Sequence, residues 1–192
     1  SRPMINKISP TIADALAGTP DGATVLIGGF GTAGIPSELI DGLIEQGARE
    51  LTIVNNNAGN GETGLAALLK AGRVRKIICS FPRQADSQVF DGLYRSGKLE
   101  LELVPQGNLA ERLRAAGAGI GGFFTPTGYG TELAKKADGS AKETLAAHAD
   151  VQLDALLPRH RVVHVVVQDE QRRRHPAQRE ERRVLDVERQ PF

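Results

Sequence analysis

Residues 21–36 read DGATVLIGGFGTAGIP, and this stretch decides how the chain folds. An apolar run (Val25, Leu26, Ile27) gives way to four glycines, Gly28, Gly29, Gly31 and Gly34, and Pro36 follows at once. Apolar, β-branched residues favour a strand, glycines permit a tight reversal, and proline suits the first turn of a helix. A strand that ends in a glycine loop before a helix lets backbone N–H groups approach an anion with no Cβ in the way. The stretch therefore predicts an α/β fold and a loop for an anionic small molecule.

The same grammar repeats outward from it. Residues 23–27 read as a strand buried on both faces. Leu39, Ile40, Leu43 and Ile44 share one face of a helix opened by Pro36 and ended by Gly47. Residues 51–54 (LTIV) form a second strand, Leu65, Leu68 and Leu69 mark a helix that stops near Gly72, and residues 75–81 form a third strand. Leu99, Leu101 and Leu103 alternate with Glu100 and Glu102, a period-two strand with the carboxylates outward. Ser9 and Pro10 predict a helix start, and Asn108 with Glu111 predicts a capping box. Residues 117–131 read as a long glycine-rich loop. Alternating strands and helices imply a mostly parallel, doubly wound sheet with flanking helices. The loops at residues 28–34, 55–59 and 105–107 all follow strands, so they should converge on one edge.

Composition narrows the function classes. The 192 residues suffice for one sizeable α/β domain. A formal net charge of +1 gives no global reason to expect nucleic acid or a membrane surface. No apolar run is long enough for a transmembrane helix. The single cysteine, Cys79, cannot form an internal disulfide and follows Ile77 and Ile78 in an apolar strand, where it reads as a buried small hydrophobe. A cytoplasmic location is expected. Met4 reads as the native start, with residues 1–3 an expression scar. Of the 22 glycines, 21 lie within residues 1–134, whereas His148, His160, His164 and His175 all lie beyond it. No histidine general base is therefore available in the glycine-rich part. No metal-ligand spacing occurs.

Gly29-Phe30-Gly31-Thr32-Ala33-Gly34 fits the dinucleotide pattern G-x-G-x-x-G, which makes a Rossmann-type oxidoreductase one reading. That pattern also needs an acid after the second strand to hold ribose hydroxyls, and Asn55, Asn56 and Asn57 stand there instead. A glycine turn serving only strand–helix packing, and a non-enzymatic module binding CoA or another anion, are further readings. Asn56 and Asn57 also suit an asparagine-rich turn, and Gln106 a solvated one.

The run Asp21-Gly22, an apolar triplet, then Gly-Gly-Phe-x-x-x-Gly-x-Pro resembles the signature of the first of the two subunits of the class I 3-oxoacid CoA-transferases. Residues 55–69 (NNNAGNGETGLAALL) and 79–131 continue the resemblance in order and spacing, nearest to the 3-oxoadipate branch that uses succinyl-CoA. It covers residues 4–134 and implies a CoA-transferase (NagB/RpiA-like) fold. It also implies transfer of CoA between carboxylic acids through a glutamyl-CoA thioester, with the CoA thioester as substrate and no cofactor. Each step passes an oxyanion that needs neutral donors. By resemblance, Asn56, Asn57 and Gln106 line that substrate pocket, and Gly28, Gly29, Phe30, Gly31 and Gly34 form the CoA or anion loop.

The nucleophilic glutamate of the family sits in a Ser-Glu-Asn-Gly motif on the second subunit, and that motif is absent here. Glu62 reads as surface turn chemistry. The resemblance thus implies that this chain holds no catalytic nucleophile and works with a second CoA-transferase subunit of the Ser-Glu-Asn-Gly type, as a heterotetramer. After residue 134 the family pattern fades. Residues 135–192 carry the run Arg172-Arg173-Arg174 with further arginines and interleaved acids, and only residues 162–167 read as a strand. This segment is either a diverged C-terminal portion or the product of a shifted reading frame, which intact mass with resequencing distinguishes.

Overall fold

The computed structural model describes residues 9–135, 144–145, 148–155 and 162–165. The first residues, the arginine run and most of the C-terminal segment lie outside the described residues, as do the readings placed on them. The α-helices among the described residues are α1 (Ile12–Leu16), α2 (Ser37–Gln46), α3 (Leu65–Lys70), α4 (Gln88–Arg95) and α5 (Gln106–Gly117). The strands are β1 (Thr24–Ile27), β2 (Leu51–Val54), β3 (Val74–Cys79), β4 (Glu100–Leu103), β5 (Gly122–Thr125), β6 (Thr144–Leu145), β7 (His148–Ala155) and β8 (Val162–Val165).

Five strands form one sheet in the order β4-β3-β2-β1-β8. Every pairing in it is parallel. The expected doubly wound arrangement is what the chain adopts. Its order reverses at β1, with β2 on one side and β8 on the other. A crevice opens where neighbouring connections leave a parallel sheet in opposite directions, so the loop after β1 stands where such folds bind ligands.

Alternation along the strands assigns the two faces. Val25, Ile27, Leu51, Ile53, Ile77 and Cys79 are buried against Leu16 of α1, Ile40 and Leu43 of α2, Leu65 and Leu68 of α3, and Phe90 of α4. On the opposite face Val54, Ile78, Val104 and Leu109 of α5 make a smaller cluster, with Leu26 packed against it. Each large apolar side chain fully buried here contributes roughly 1.5–3 kcal/mol. Helix α2 ends as its sequence implies: Gly47 adopts φ 93° and its N–H bonds the Leu43 carbonyl. Arg73 finishes that terminus by donating to the Gly47 and Ile44 carbonyls at 3.0 and 3.3 Å.

Several local expectations are corrected. Helix α1 is capped by Thr11, whose side chain accepts from the Asp14 N–H, so Ser9 and Pro10 precede the helix. Helix α5 begins at Gln106, directly after Pro105 at φ −52°, and Asn108 lies inside it. Proline pre-sets the helical entry, and Asn108 is buried beside Thr125 of β5, where it cannot cap. Glu111 pairs with Arg114 instead. The glycine-rich stretch 117–131 is not all loop: α5 runs to Gly117, and β5 pairs antiparallel with β7 in a second, three-stranded sheet. Helix α4 is an element the sequence reading passes over, although Val89, Phe90 and Leu93 carry its apolar spacing. In the C-terminal segment β8 supplies the expected strand, and β6 and β7 are additional to it.

Glu102 also departs from expectation. It does not simply point to solvent: Lys76 Nζ donates to it at 2.6 Å, and Arg112 Nη1 donates to its other oxygen at 2.6 Å. Arg112 is only 6% exposed at its side chain. Burial works to raise the Glu102 carboxyl, and the hydrogen bonds and charges of Lys76 and Arg112 together outweigh it, holding the group below the ordinary carboxylate value. A helix packed over an edge strand has drawn the carboxylate into an ion cluster.

Candidate functional site

The three loops do meet at the carboxyl edge of the sheet, and side-chain amides tie them. Asn55, 3% exposed, donates from Nδ2 to the Ile27 carbonyl at 2.6 Å. Its Oδ1 accepts the Asn57 N–H at 2.9 Å. This is where a dinucleotide-binding chain would need an acid. Here the position faces backbone carbonyls, which a carboxylate would repel.

Asn57 is 1% exposed, and both ends of its carboxamide are engaged. Nδ2 donates to the Gly31 carbonyl at 3.2 Å, and Oδ1 accepts the Gly59 N–H at 2.8 Å. Asn57 therefore holds the glycine loop from beneath, whereas the resemblance placed it in the lining. Those two bonds satisfy the oxygen and one hydrogen of a buried carboxamide.

Asn56 is different. It is half-buried, and its Oδ1 accepts from Ser80 Oγ at 2.7 Å and from Gln106 Nε2 at 3.2 Å. Its backbone carbonyl accepts the Ser80 and Phe81 N–H groups at 3.2 and 2.9 Å. Among the described residues its Nδ2 has no hydrogen-bond partner. Gln106, at the first position of α5, is exposed. The ends of β2, β3 and β4 thus bring together Asn56, Ser80 and Gln106, three neutral polar side chains. Ser80 is the member the sequence reading misses, because residues 75–81 read as one continuous strand. Strand β3 stops at Cys79, which places the serine in the edge loop.

The glycine loop is a compact turn rather than a direct run into a helix. The Phe30 N–H bonds the Ala33 carbonyl at 2.9 Å, and the Ala33 N–H bonds the Phe30 carbonyl at 3.0 Å. Gly29 takes φ 119°, and a Cβ there would come within 2.5 Å of Ile35 Cδ1. Gly31 and Gly34 take φ 63° and 67°. These conformations explain the glycines without a ligand, and the turn removes two amides from any anion cradle. Gly28 is exposed, and Phe30 is exposed at 69%, as is Phe81 at 64% in the loop after β3.

Nearby charges are internally paired. Arg83 Nε donates to Asp91 at 2.8 Å, and Arg75 donates to Glu100 at 2.9 Å. Glu62 is exposed and bound to Lys70, whose hydrogen bond and charge hold its carboxyl below the usual value. That environment suits a surface turn. Cys79 is buried, and burial pushes its thiol up to about 12, the opposite of what a nucleophile needs. Among the described residues no group of three His, Cys, Asp or Glu side chains is arranged to hold a metal ion. No helix among them is long and apolar enough to cross a membrane.

Comparison with known proteins agrees with this architecture. The chain is 72% identical over 132 residues to the first subunit of 3-oxoadipate CoA-transferase from Pseudomonas putida, an alignment covering 69% of this chain and 57% of that relative. The chain therefore spans little more than half the length of a curated relative it matches. Among solved structures, glutaconate coenzyme A-transferase from Acidaminococcus fermentans superposes with a TM-score of 0.58 at 26% identity, covering 67% of this chain and 41% of that one. A variant of the decarboxylase AibA/AibB superposes with a TM-score of 0.63 at 22% identity over 77% of this chain and 57% of that one, a likeness of fold. The Coenzyme A transferase family model matches residues 10–169, which runs past residue 134 where the resemblance read from the sequence stops. With the parallel sheet, the glycine turn and the amide cluster in place, that match establishes that the chain belongs to the coenzyme A transferase family.

Proposed function

We propose that the chain is the first subunit of a succinyl-CoA:3-oxoacid CoA-transferase directed to 3-oxoadipate. It contributes neutral hydrogen-bond donors to a site whose nucleophilic glutamate lies on a second subunit. The observation that carries the reading is the cluster of Asn56, Ser80 and Gln106 at the strand ends beside the glycine turn. Attack of a carboxylate on a thioester carbonyl turns a neutral oxygen into an oxyanion. A fixed amide N–H stabilises that charge without adding a counter-charge that must itself be desolvated. Asn56 retains a donor for this purpose, and Gln106 is exposed at the same edge. Asn57 and Asn55 act indirectly by fixing the loop. Phe30 and the turn of Gly28, Gly29, Gly31 and Gly34 form the adjoining wall, toward CoA.

Support also comes from the 72% identity to the Pseudomonas relative over 132 residues. The reaction in this reading needs no cofactor beyond the CoA thioester itself. The assembly is a heterotetramer with a Ser-Glu-Asn-Gly subunit, and the setting is the cytoplasm. Co-expression with such a subunit, followed by an assay of CoA exchange between succinyl-CoA and 3-oxoadipate, tests the proposal. A folded pair that exchanges no CoA overturns it. CoA binding by the chain alone, with no turnover in the pair, would favour a binding module instead.

A further inference from the structure

We propose that Ser80 is a positioning residue for Asn56. This rests on the reading of Asn56 as a donor to the oxyanion, and nothing in the sequence motifs assigns a role to the serine. Its Oγ lies 2.7 Å from Asn56 Oδ1, and Gln106 Nε2 lies 3.2 Å from the same oxygen. The Ser80 N–H and the Phe81 N–H hold the Asn56 backbone carbonyl at 3.2 and 2.9 Å, so the peptide and the side chain are gripped from one loop.

Two consequences follow from elementary chemistry. A carboxamide has one oxygen and one nitrogen, so two donors to Oδ1 select the rotamer that leaves Nδ2 unengaged by the described residues. Two bonds into the oxygen also draw electron density toward it and make the N–H₂ hydrogens better donors. The serine hydroxyl is thus the shorter of two contacts that aim and polarise a donor. Ser80 itself is half-buried and takes no part in the bond changes.

The test uses Ser80→Ala, Ser80→Thr and Asn56→Asp in the complex with the second subunit, together with the isolated chain. Ser80→Ala should lower kcat about tenfold with KM nearly unchanged, a smaller loss than removal of an oxyanion donor itself. Ser80→Thr, which restores the hydroxyl, should recover most of it. Asn56→Asp keeps an acceptor for Ser80 and Gln106 while removing the donor, so it should fold normally and lose kcat about a hundredfold.

A readout independent of turnover is the Asn56 side-chain amide in a ¹⁵N–¹H spectrum of the chain alone. Its two hydrogens should have shifts displaced from those of a free asparagine amide and a high order parameter in the wild type. In Ser80→Ala the shifts should move toward the free-amide values with a lower order parameter, the two signals staying separate because rotation about the amide C–N bond is slow. An unchanged amide signal, or Ser80→Ala with wild-type kcat, overturns the positioning role. An inactive wild-type complex with a changed amide signal overturns the proposed function and leaves the positioning of Asn56 by Ser80 standing.

Discussion

Gln106 Nε2 donates to Asn56 Oδ1 at 3.2 Å across 50 residues of sequence, joining the first residue of α5 to the loop after β2. Two strands lie between the segments in the chain, and the sheet order β4-β3-β2 brings their ends together. Gln106 is exposed, so its removal costs the fold little. Gln106→Ala should reduce kcat for thioester exchange by roughly ten- to a hundredfold while the urea midpoint stays within experimental error. Equal losses of activity and stability would show that the glutamine serves packing alone.

Asn55 joins β1 to β2 from inside. Asn55→Ala removes a donor from the Ile27 carbonyl and an acceptor from the Asn57 N–H in a buried setting. A loss of about 2–4 kcal/mol is expected from urea unfolding, since buried partners are left unsatisfied. Asn55→Asp should be no better tolerated, because it sets a carboxylate against the Ile27 and Gly28 carbonyls. Installing the acid of a dinucleotide site therefore should not create one, and calorimetry with a nicotinamide cofactor checks this.

Gly59 and Gly61 form a matched pair. Both have positive φ, 89° and 65°, but a Cβ at Gly59 would lie 2.6 Å from the Ala66 backbone N, whereas Gly61 has open space around it. Gly61→Ala should cost about 1 kcal/mol, the conformational penalty alone. Gly59→Ala should cost roughly 1–3 kcal/mol more, because the loop must also move away from α3. Thermal melts of the two variants measure the difference.

The Lys76–Glu102–Arg112 cluster makes a pH-dependent contribution. The folded carboxyl titrates below its ordinary value near 4.5, so the folded state holds the proton less tightly than the unfolded chain. The stabilisation is complete above that ordinary value and is lost as pH falls through the lower folded one. Glu102→Gln should flatten the acid limb of a stability–pH curve, and an unchanged limb would place the acid sensitivity elsewhere.

Cys79 gives a chemical reporter of the core. It is buried in β3 with its thiol pushed up to about 12. A neutral-pH thiol reagent should leave it unmodified in the folded chain and label it fully in denaturant. Rapid labelling under native conditions would mean that β3 opens to solvent.

The glycine stretch at residues 21–36 and the apolar runs after it are enough to read the alternating elements and the parallel sheet, because strand and helix periodicities are local properties of the chain. The convergence of three loops follows from topology alone, since parallel strands put all their carboxyl ends on one edge. The roles of the three neighbouring asparagines are not legible in the same way. Asn55, Asn56 and Asn57 are identical in type and adjacent, yet two are buried loop ties and one keeps a donor. That distinction depends on which carbonyl or hydroxyl each side chain meets, and those partners come from β1, from the glycine turn, and from Ser80 and Gln106. Glu102 shows the same limit: alternation places it on the outer face, and only packing of α5 brings Arg112 to it. Local pattern specifies elements and edges, while hydrogen-bond partners distant in sequence decide which carboxamide is tied through both its oxygen and its nitrogen and which is tied through its oxygen alone.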